Sequence, residues 1–220
     1  MIITIDGPAG SGKSTVASEL AKRLNCIHCD SGALFRALTA FLLDKNIKKL
    51  DDNFERLIKS CSLNIKYLDD IQHVYVNDID YTERLRDIIV SENVPYFSTS
   101  VVFQEKIYDT LKKFAHNRNV IFDGRNMGST VFPDAEYKFY LDCDIRERAH
   151  RRYVELLQTD NSISQQNILN LITQRDTTDR TRQYAPLMIP ENAIIIDSTH
   201  LSISQVVEAM LNAIKNKAID

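Results

Sequence analysis

The sequence predicts a doubly wound α/β core, a five-stranded parallel sheet flanked by helices and interrupted by a small antiparallel β insert. Three observations carry this. First, the β-branched run Met1–Asp6 is followed by helical spacing over Ser14–Asn25 and by a second extended segment, Cys26–Cys29. Such a β-α-β opening favours a parallel sheet and a right-handed crossover. Second, Val120–Asp123, Tyr137–Asp142 and Ala193–Asp197 repeat the apolar pattern of a buried strand, and each precedes a loop or a helix start. Third, Leu63–Tyr81 breaks that rhythm. Its segments Leu63–Leu68, Val74–Val76 and Ile79–Tyr81 are short, separated by Asp69-Asp70 and Asn77-Asp78, and lack an intervening helix, which reads as an antiparallel meander.

The remaining elements follow in order. Helical patterns at Asp52–Cys61 and Glu83–Ser91 flank the meander. Asp144 with Glu147, and Ser202 with Gln205, have the spacing in which both ends of a first helical turn are satisfied. The polar stretch Gln158–Gln166 reads as a mobile connection between two helices. There is no internal repeat and no low-complexity tract.

Composition bounds the function. Lys and Arg total 27 against 30 Asp and Glu, a formal charge of -3, so no global basic excess points to nucleic acid or an anionic membrane. No apolar run approaches the ~18–20 residues of a membrane span, and the first residues read as a strand rather than a signal peptide. The four cysteines are too few for a disulfide scaffold. Cys26 and Cys29 form a C-x-x-C, but in an extended segment residues three apart point to opposite faces, and Cys61 and Cys143 are isolated. All four are expected to be structural, and the expected compartment is the reducing cytoplasm.

The strongest chemical signal is Gly7-Pro8-Ala9-Gly10-Ser11-Gly12-Lys13-Ser14, which fits G-x-x-x-x-G-K-[ST] between a strand and a helix. Glycines let the loop wrap phosphates so that backbone N–H groups and the helix N-terminus face the anion. Lys13 is expected to reach the β- and γ-phosphates of ATP, and the Ser14 hydroxyl to ligate Mg²⁺. The loop alone does not separate a kinase from a switch or a motor. A guanine switch needs Asn-Lys-x-Asp after a late strand, and the single Asn-Lys pair, Asn216-Lys217, lies in the terminal helical segment. A water-activating ATPase wants a strand ending in Asp-Glu, whereas these strands end Asp123-Gly124, Asp142-Cys143 and Asp197-Ser198.

Arginine distribution is the second signal. Half of the fourteen arginines fall between Arg146 and Arg182, and no lysine occurs from Phe139 to Ile214. Arg148, Arg151 and Arg152 share one predicted helix, and Arg175, Arg180 and Arg182 follow in a tight run. Arginine offers a planar fork that grips phosphate and stays charged, which suits transfer between two phosphorylated partners. A lid carrying such residues excludes water and suppresses hydrolysis.

These motifs come in the order GPAGSGKST, Asp30-Ser-Gly-Ala-Leu-Phe-Arg36, Asp123-Gly-Arg-Asn-Met-Gly128, Phe132-Pro-Asp-Ala135 and Arg175-Asp-x-x-Asp-Arg-x-Arg182 through Ala185-Pro-Leu187. Together they resemble the bacterial cytidylate kinases, from Ile2 to about Met210. The resemblance implies a P-loop nucleoside monophosphate kinase fold in one domain, with a core over 1–61, 92–152 and 170–220. It also implies an acceptor-binding insert near 62–91, a helical lid near 153–169, and transfer from ATP with Mg²⁺ to CMP or dCMP. The expected partners are therefore these small molecules, with no nucleic acid, no membrane and a monomeric chain.

Carried over by position, Gly7 to Thr15 would bind ATP together with Arg148, Arg151 and Arg152, and Lys13, Arg125 and Arg175 would act on the transferring phosphate. Ser31, Arg36, Arg125 and Arg182 would grip the acceptor phosphate or its surroundings, and Asp179 would accept from the sugar hydroxyl. Asp30 would help Ser14 place Mg²⁺, or else cap a helix. Phe35 stands where the family often has Tyr. At the base-reading positions, usually Ser, Arg and Asp, this chain has Pro95, Gln104 and Asn126. The alternatives are a kinase of UMP or of a modified CMP, or a non-catalytic nucleotide-binding regulator, which Lys13, Ser14 and the arginine series oppose.

Overall fold

The computed structural model describes residues 1–157 and 164–217. They fall into two compact units, Met1–His28 with the chain from Asn119 onward, and Cys29–Arg118.

The first unit is built on the sheet. Its strands are β1 (Ile2–Asp6), β2 (Ile27–Asp30, which runs on into the second unit), β6 (Val120–Gly124), β7 (Tyr137–Asp142) and β8 (Ile194–Asp197), in the order β2-β6-β1-β7-β8. β1 pairs in parallel with β6 and β7, and β7 with β8. Ile3 and Ile5 are completely buried, as a central strand covered on both faces demands. Helices α1 (Lys13–Leu24) and α8 (Ile203–Lys217) place Val16, Leu20, Val207 and Met210 against Ile121, Phe139 and Leu141. Asn25 ends α1 in the left-handed region (φ 51°), with its N–H on Lys22 and that of Cys26 on Ala21, so β2 begins one residue later than the sequence spacing predicts.

Helices α6 (Ile145–Leu157) and α7 (Gln165–Thr181) pack through Ala149, Ile168 and Ile172. Of the expected polar connection, residues 158–163 lie outside the described residues, while Gln165 and Gln166 already belong to α7. Ser202 and Gln205 satisfy one another across the first turn of α8 at 2.8 and 3.3 Å, as their spacing predicts. Asp144 caps the N–H groups of Arg146 and Glu147, but its own N–H goes to Thr199 and Glu147 turns to Arg151.

The second unit holds the expected meander, β3 (Leu63–Leu68), β4 (Ile71–Val76) and β5 (Ile79–Asp80), antiparallel throughout. It also takes in α2 (Ser31–Asp44), α3 (Asp52–Ser60), α4 (Ile88–Phe97) and α5 (Val101–Ala115) around an aromatic core of Phe54, Phe97 and Phe103. The helix expected at Glu83–Ser91 is corrected. A 3₁₀ turn spans Thr82–Arg86, and extended Asp87 (ψ 133°), held by Arg84 Nε at 2.6 Å, separates it from α4. The four cysteines, reduced in this structure, are Cys26, Cys29, Cys61 and Cys143.

Candidate active site

The phosphate loop joins β1 to α1, whose N-terminus opens at Lys13. Gly7 is forced by space, since a Cβ there would lie 2.2 Å from the carbonyl oxygen of Leu141. Gly12, at φ 89°, turns the chain into the helix. Lys13 is buried, and its Nζ donates to the Pro8 carbonyl at 2.6 Å and to Ser11 Oγ at 3.2 Å. Burial, with the charge of Arg125 beside it, holds its pKa well below the lysine range, although Asp123, Asp6 and Asp179 oppose the shift. An arriving phosphate supplies the anion this ammonium lacks.

Two carboxylates close the neighbouring strand ends. Asp123, at the end of β6, accepts from Ser14 Oγ at 2.7 Å and lies 2.7 Å from His28 Nε2. Burial pushes its pKa up, but His28, Ser14 and Lys13 outweigh this and leave it lowered. Asp6, at the end of β1, accepts from the N–H groups of Met127 and Gly128, both at 2.7 Å. Here burial prevails and raises the pKa to about 6.

The segment from Arg125 to Val131, which ends in a π-type turn over Met127–Val131, meets the C-terminal end of α7. Arg125 Nε donates to Asp179 Oδ2 at 2.9 Å, while Arg175 and Arg182 each stand 3.9 Å from that carboxylate. Asp179 is buried, which raises its pKa, yet Arg125, Arg175 and Arg182 together keep it below the usual range. Arg182 Nε and Asn126 Nδ2 donate to one oxygen, the carbonyl of Ala185, at 2.6 and 3.0 Å. Ala185 has φ 48°, the strained left-handed region for a residue with a Cβ.

The arginines of α6 divide differently. Arg148 is buried, donating to the Cys143 and Ala9 carbonyls and pairing with Asp176 at 2.7 Å. Arg151 ties Glu147 to the Ser198 and Thr199 carbonyls, and half-exposed Arg152 pairs with Glu155.

In the second unit, Arg36 folds back nearly two turns to Asp30 at 2.6 Å, a contact for which Gly32 leaves room, since a Cβ there would lie 2.9 Å from Arg36 Nη1. Asp30 makes no side-chain cap to α2, so its carboxylate serves Arg36 instead. Its backbone is read by Gln72 in both directions, and Ser31 is buried at the helix start. Phe35 packs on Phe103 with centroids 5.8 Å apart. Gln104 is fully buried, donating to the Ser98 carbonyl and accepting from the Tyr108 hydroxyl, and Pro95 lies within α4.

The family model described as cytidylate kinase matches residues 3–216. The chain belongs to the cytidylate kinase family. A cytidylate kinase of Caldanaerobacter subterraneus subsp. tengcongensis is 40% identical over 213 residues, covering 97% of this chain and 94% of that one. Those of Fusobacterium nucleatum and Acholeplasma laidlawii are 37% and 34% identical, covering 94% and 97% of this chain and 94% and 95% of their own. Among solved structures, a protein of Thermus thermophilus shares the fold at a TM-score of 0.51 and 16% identity, covering 99% of this chain and 97% of its own.

For a cytidylate kinase the loop and the arginine series were legible, whereas Asp123, Asp6 and Asp176 were not identified as site residues. Asp123 had a signal: it ends an apolar strand, where a phosphate-loop protein keeps a carboxylate near its metal. Asp6 had none, because its partners Met127 and Gly128 lie more than a hundred residues away, and Asp176, though inside the Arg175–Arg182 motif, finds its partners Ala9 and Arg148 on other elements. Ser14 and Asp123 are oxygen donors suited to Mg²⁺, which takes one or two protein ligands and completes its shell from phosphates and water. No cluster of three or more His, Cys, Asp or Glu able to hold a metal occurs among the described residues. No helix among them is long and apolar enough to cross a membrane.

Proposed function

We propose that this chain transfers the γ-phosphoryl group of ATP to CMP and dCMP, giving ADP with CDP or dCDP. One observation carries the reading: a complete phosphate loop with a buried Lys13 in the same unit as the Arg125–Asp179–Arg182 cluster, in a chain of this family. The bond from the γ-phosphorus to the β–γ bridging oxygen breaks as one forms to an oxygen of the acceptor phosphate. That phosphate is largely a dianion at neutral pH, so the step needs no protein base. The protein's task is to position charge and exclude water.

Lys13 leaves the Pro8 carbonyl for the β- and γ-oxygens, and Arg125 and Arg175 meet charge on the transferring group. Arg182, with Ser31 and Arg36 in the second unit, is assigned to the acceptor phosphate, and Asp179 to the acceptor sugar. Mg²⁺, held through Ser14 with Asp123, supplies neutralisation of the phosphate oxygens when bound. In this reading Asp30 holds Arg36 at 2.6 Å until the phosphate arrives, and Arg36 then exchanges the carboxylate for it. Arg151 and Arg152 are assigned to ATP. Gln104, with interior partners at both ends, holds the α4–α5 junction, and Asn126 supports Arg182 through Ala185. The enzyme is read as a cytoplasmic monomer.

The test is ADP release with a panel of nucleoside monophosphates, with and without Mg²⁺, alongside light scattering. Turnover of CMP and dCMP ahead of UMP, AMP and GMP, dependent on Mg²⁺, is expected. A folded protein that binds ATP and phosphorylates neither cytidine nucleotide overturns the reading.

A further inference from the structure

One peptide unit of the phosphate loop is held from both sides. The Pro8 carbonyl accepts from Lys13 Nζ at 2.6 Å, and the N–H of the same peptide, at Ala9, donates to Asp176 Oδ1 at 3.3 Å. The next carbonyl, of Ala9, accepts from Arg148 Nη1 at 2.8 Å. Arg148 and Asp176 close the figure through Nη2 and Oδ2 at 2.7 Å, with their side chains only 5% and 10% exposed. Burying such a pair is costly, so it is weak evidence for stability, and its geometry asks for another account.

Asp176 sits on α7, one turn before Asp179 and two before Arg182. A phosphate that draws Lys13 away removes the cationic partner from the very peptide that Asp176 grips. The loop then has two states, Lys13 on Pro8 or Lys13 on phosphate, and α7 holds the other end of that peptide. We propose that the Arg148–Asp176 pair couples occupancy of the phosphate loop to α7, so that ATP and the acceptor nucleotide bind with positive cooperativity. Arg148 is then a positioning residue rather than one of the ATP-gripping arginines of the sequence reading. The inference rests on the assignment of Asp179 and Arg182 to the acceptor. Linkage requires the coupling to be reciprocal and demands differential contacts in the two states, which the Lys13 exchange supplies.

The test is calorimetric titration of the full chain with CMP, with and without a saturating nonhydrolysable ATP analogue and Mg²⁺. In the wild type the analogue tightens CMP by about fivefold or more, at the low end of common couplings. In Asp176→Asn and in Arg148→Lys each ligand still binds alone, but the factor falls to about one. Variants that weaken both ligands yet keep the wild-type factor make the pair merely structural and overturn the proposal. CMP that binds without coupling in the wild type overturns it while leaving the functional reading intact, whereas CMP that does not bind overturns both. A second measurement needs no variant. The analogue alone should slow backbone hydrogen exchange across 172–181 several-fold, and unchanged exchange there also overturns the inference.

Discussion

Arg125 donates through Nε to Asp179 Oδ2 at 2.9 Å, which joins the segment after β6 to the end of α7. Asp179 is buried and draws three arginines to it, so the carboxylate organises the cluster rather than decorating it. Asp179→Asn keeps the shape and removes the charge. We expect kcat/KM for CMP to fall about 10- to 100-fold, the range of one charge-assisted hydrogen bond. A value within twofold of wild type, in steady-state kinetics on folded protein, would show that the charge does not matter.

Arg182 serves Ala185 through Nε at 2.6 Å and keeps Nη1 3.9 Å from Asp179, a task for a planar fork. Lysine has one head and no fork. Arg182→Lys should therefore raise KM for CMP by about tenfold and change that for ATP far less. Equal effects on both substrates would place Arg182 elsewhere in the reaction.

Lys13 is held below its usual pKa chiefly by burial, so the empty loop carries an ammonium that burial disfavours. Lys13→Met should lower kcat about 10²- to 10³-fold, the loss seen when one transition-state donor is removed. The same change should leave the fold as stable or more so. The sign follows from linkage: the unfolded chain holds this proton up to about 10.5, beyond the folded value, so stability gains as pH rises toward that limit. Denaturation curves between neutrality and pH 10 should show this gain in wild type and less of it in the variant.

Asp6 titrates near 6 against an ordinary 3.8, mainly through burial. The folded state keeps the proton while the unfolded chain loses it, so this contribution is full below 3.8 and is lost as pH rises to about 6. The wild type should thus lose up to about 3 kcal/mol from this group across that window, relative to Asp6→Asn. Parallel urea titrations at pH 4 and 7 check it. A wild-type-minus-variant difference that stays constant with pH would remove Asp6 from the account.

What the sequence made legible were features whose partners are local. The phosphate loop is one, and the Ser202–Gln205 box, reciprocal as expected, is another. Where side chains had distant choices, spacing misled: Glu147 left the Asp144 box for Arg151, and Asp87 broke a helix that its flanking residues suggested. Helix α2 escaped because Ala37 to Leu42 are all buried, which erases the alternation that marks a surface helix. The division of the arginines was hidden for the same reason. Arg148 and Arg152 look alike in sequence, but one finds Ala9, Cys143 and Asp176 while the other finds only Glu155 among the contacts described above.

The position of β1 has a consequence for how the chain is made. It leaves the ribosome ahead of both strands it pairs with, which begin at Val120 and Tyr137. At ordinary rates of synthesis it waits on the order of ten seconds for the first of them. The stretch Cys29–Arg118, with a paired sheet and an aromatic core of its own, emerges during that interval. The strand that carries the phosphate loop is thus translated well before the strands that complete it, an apolar ribbon that the cell must keep from pairing with strangers in the meantime.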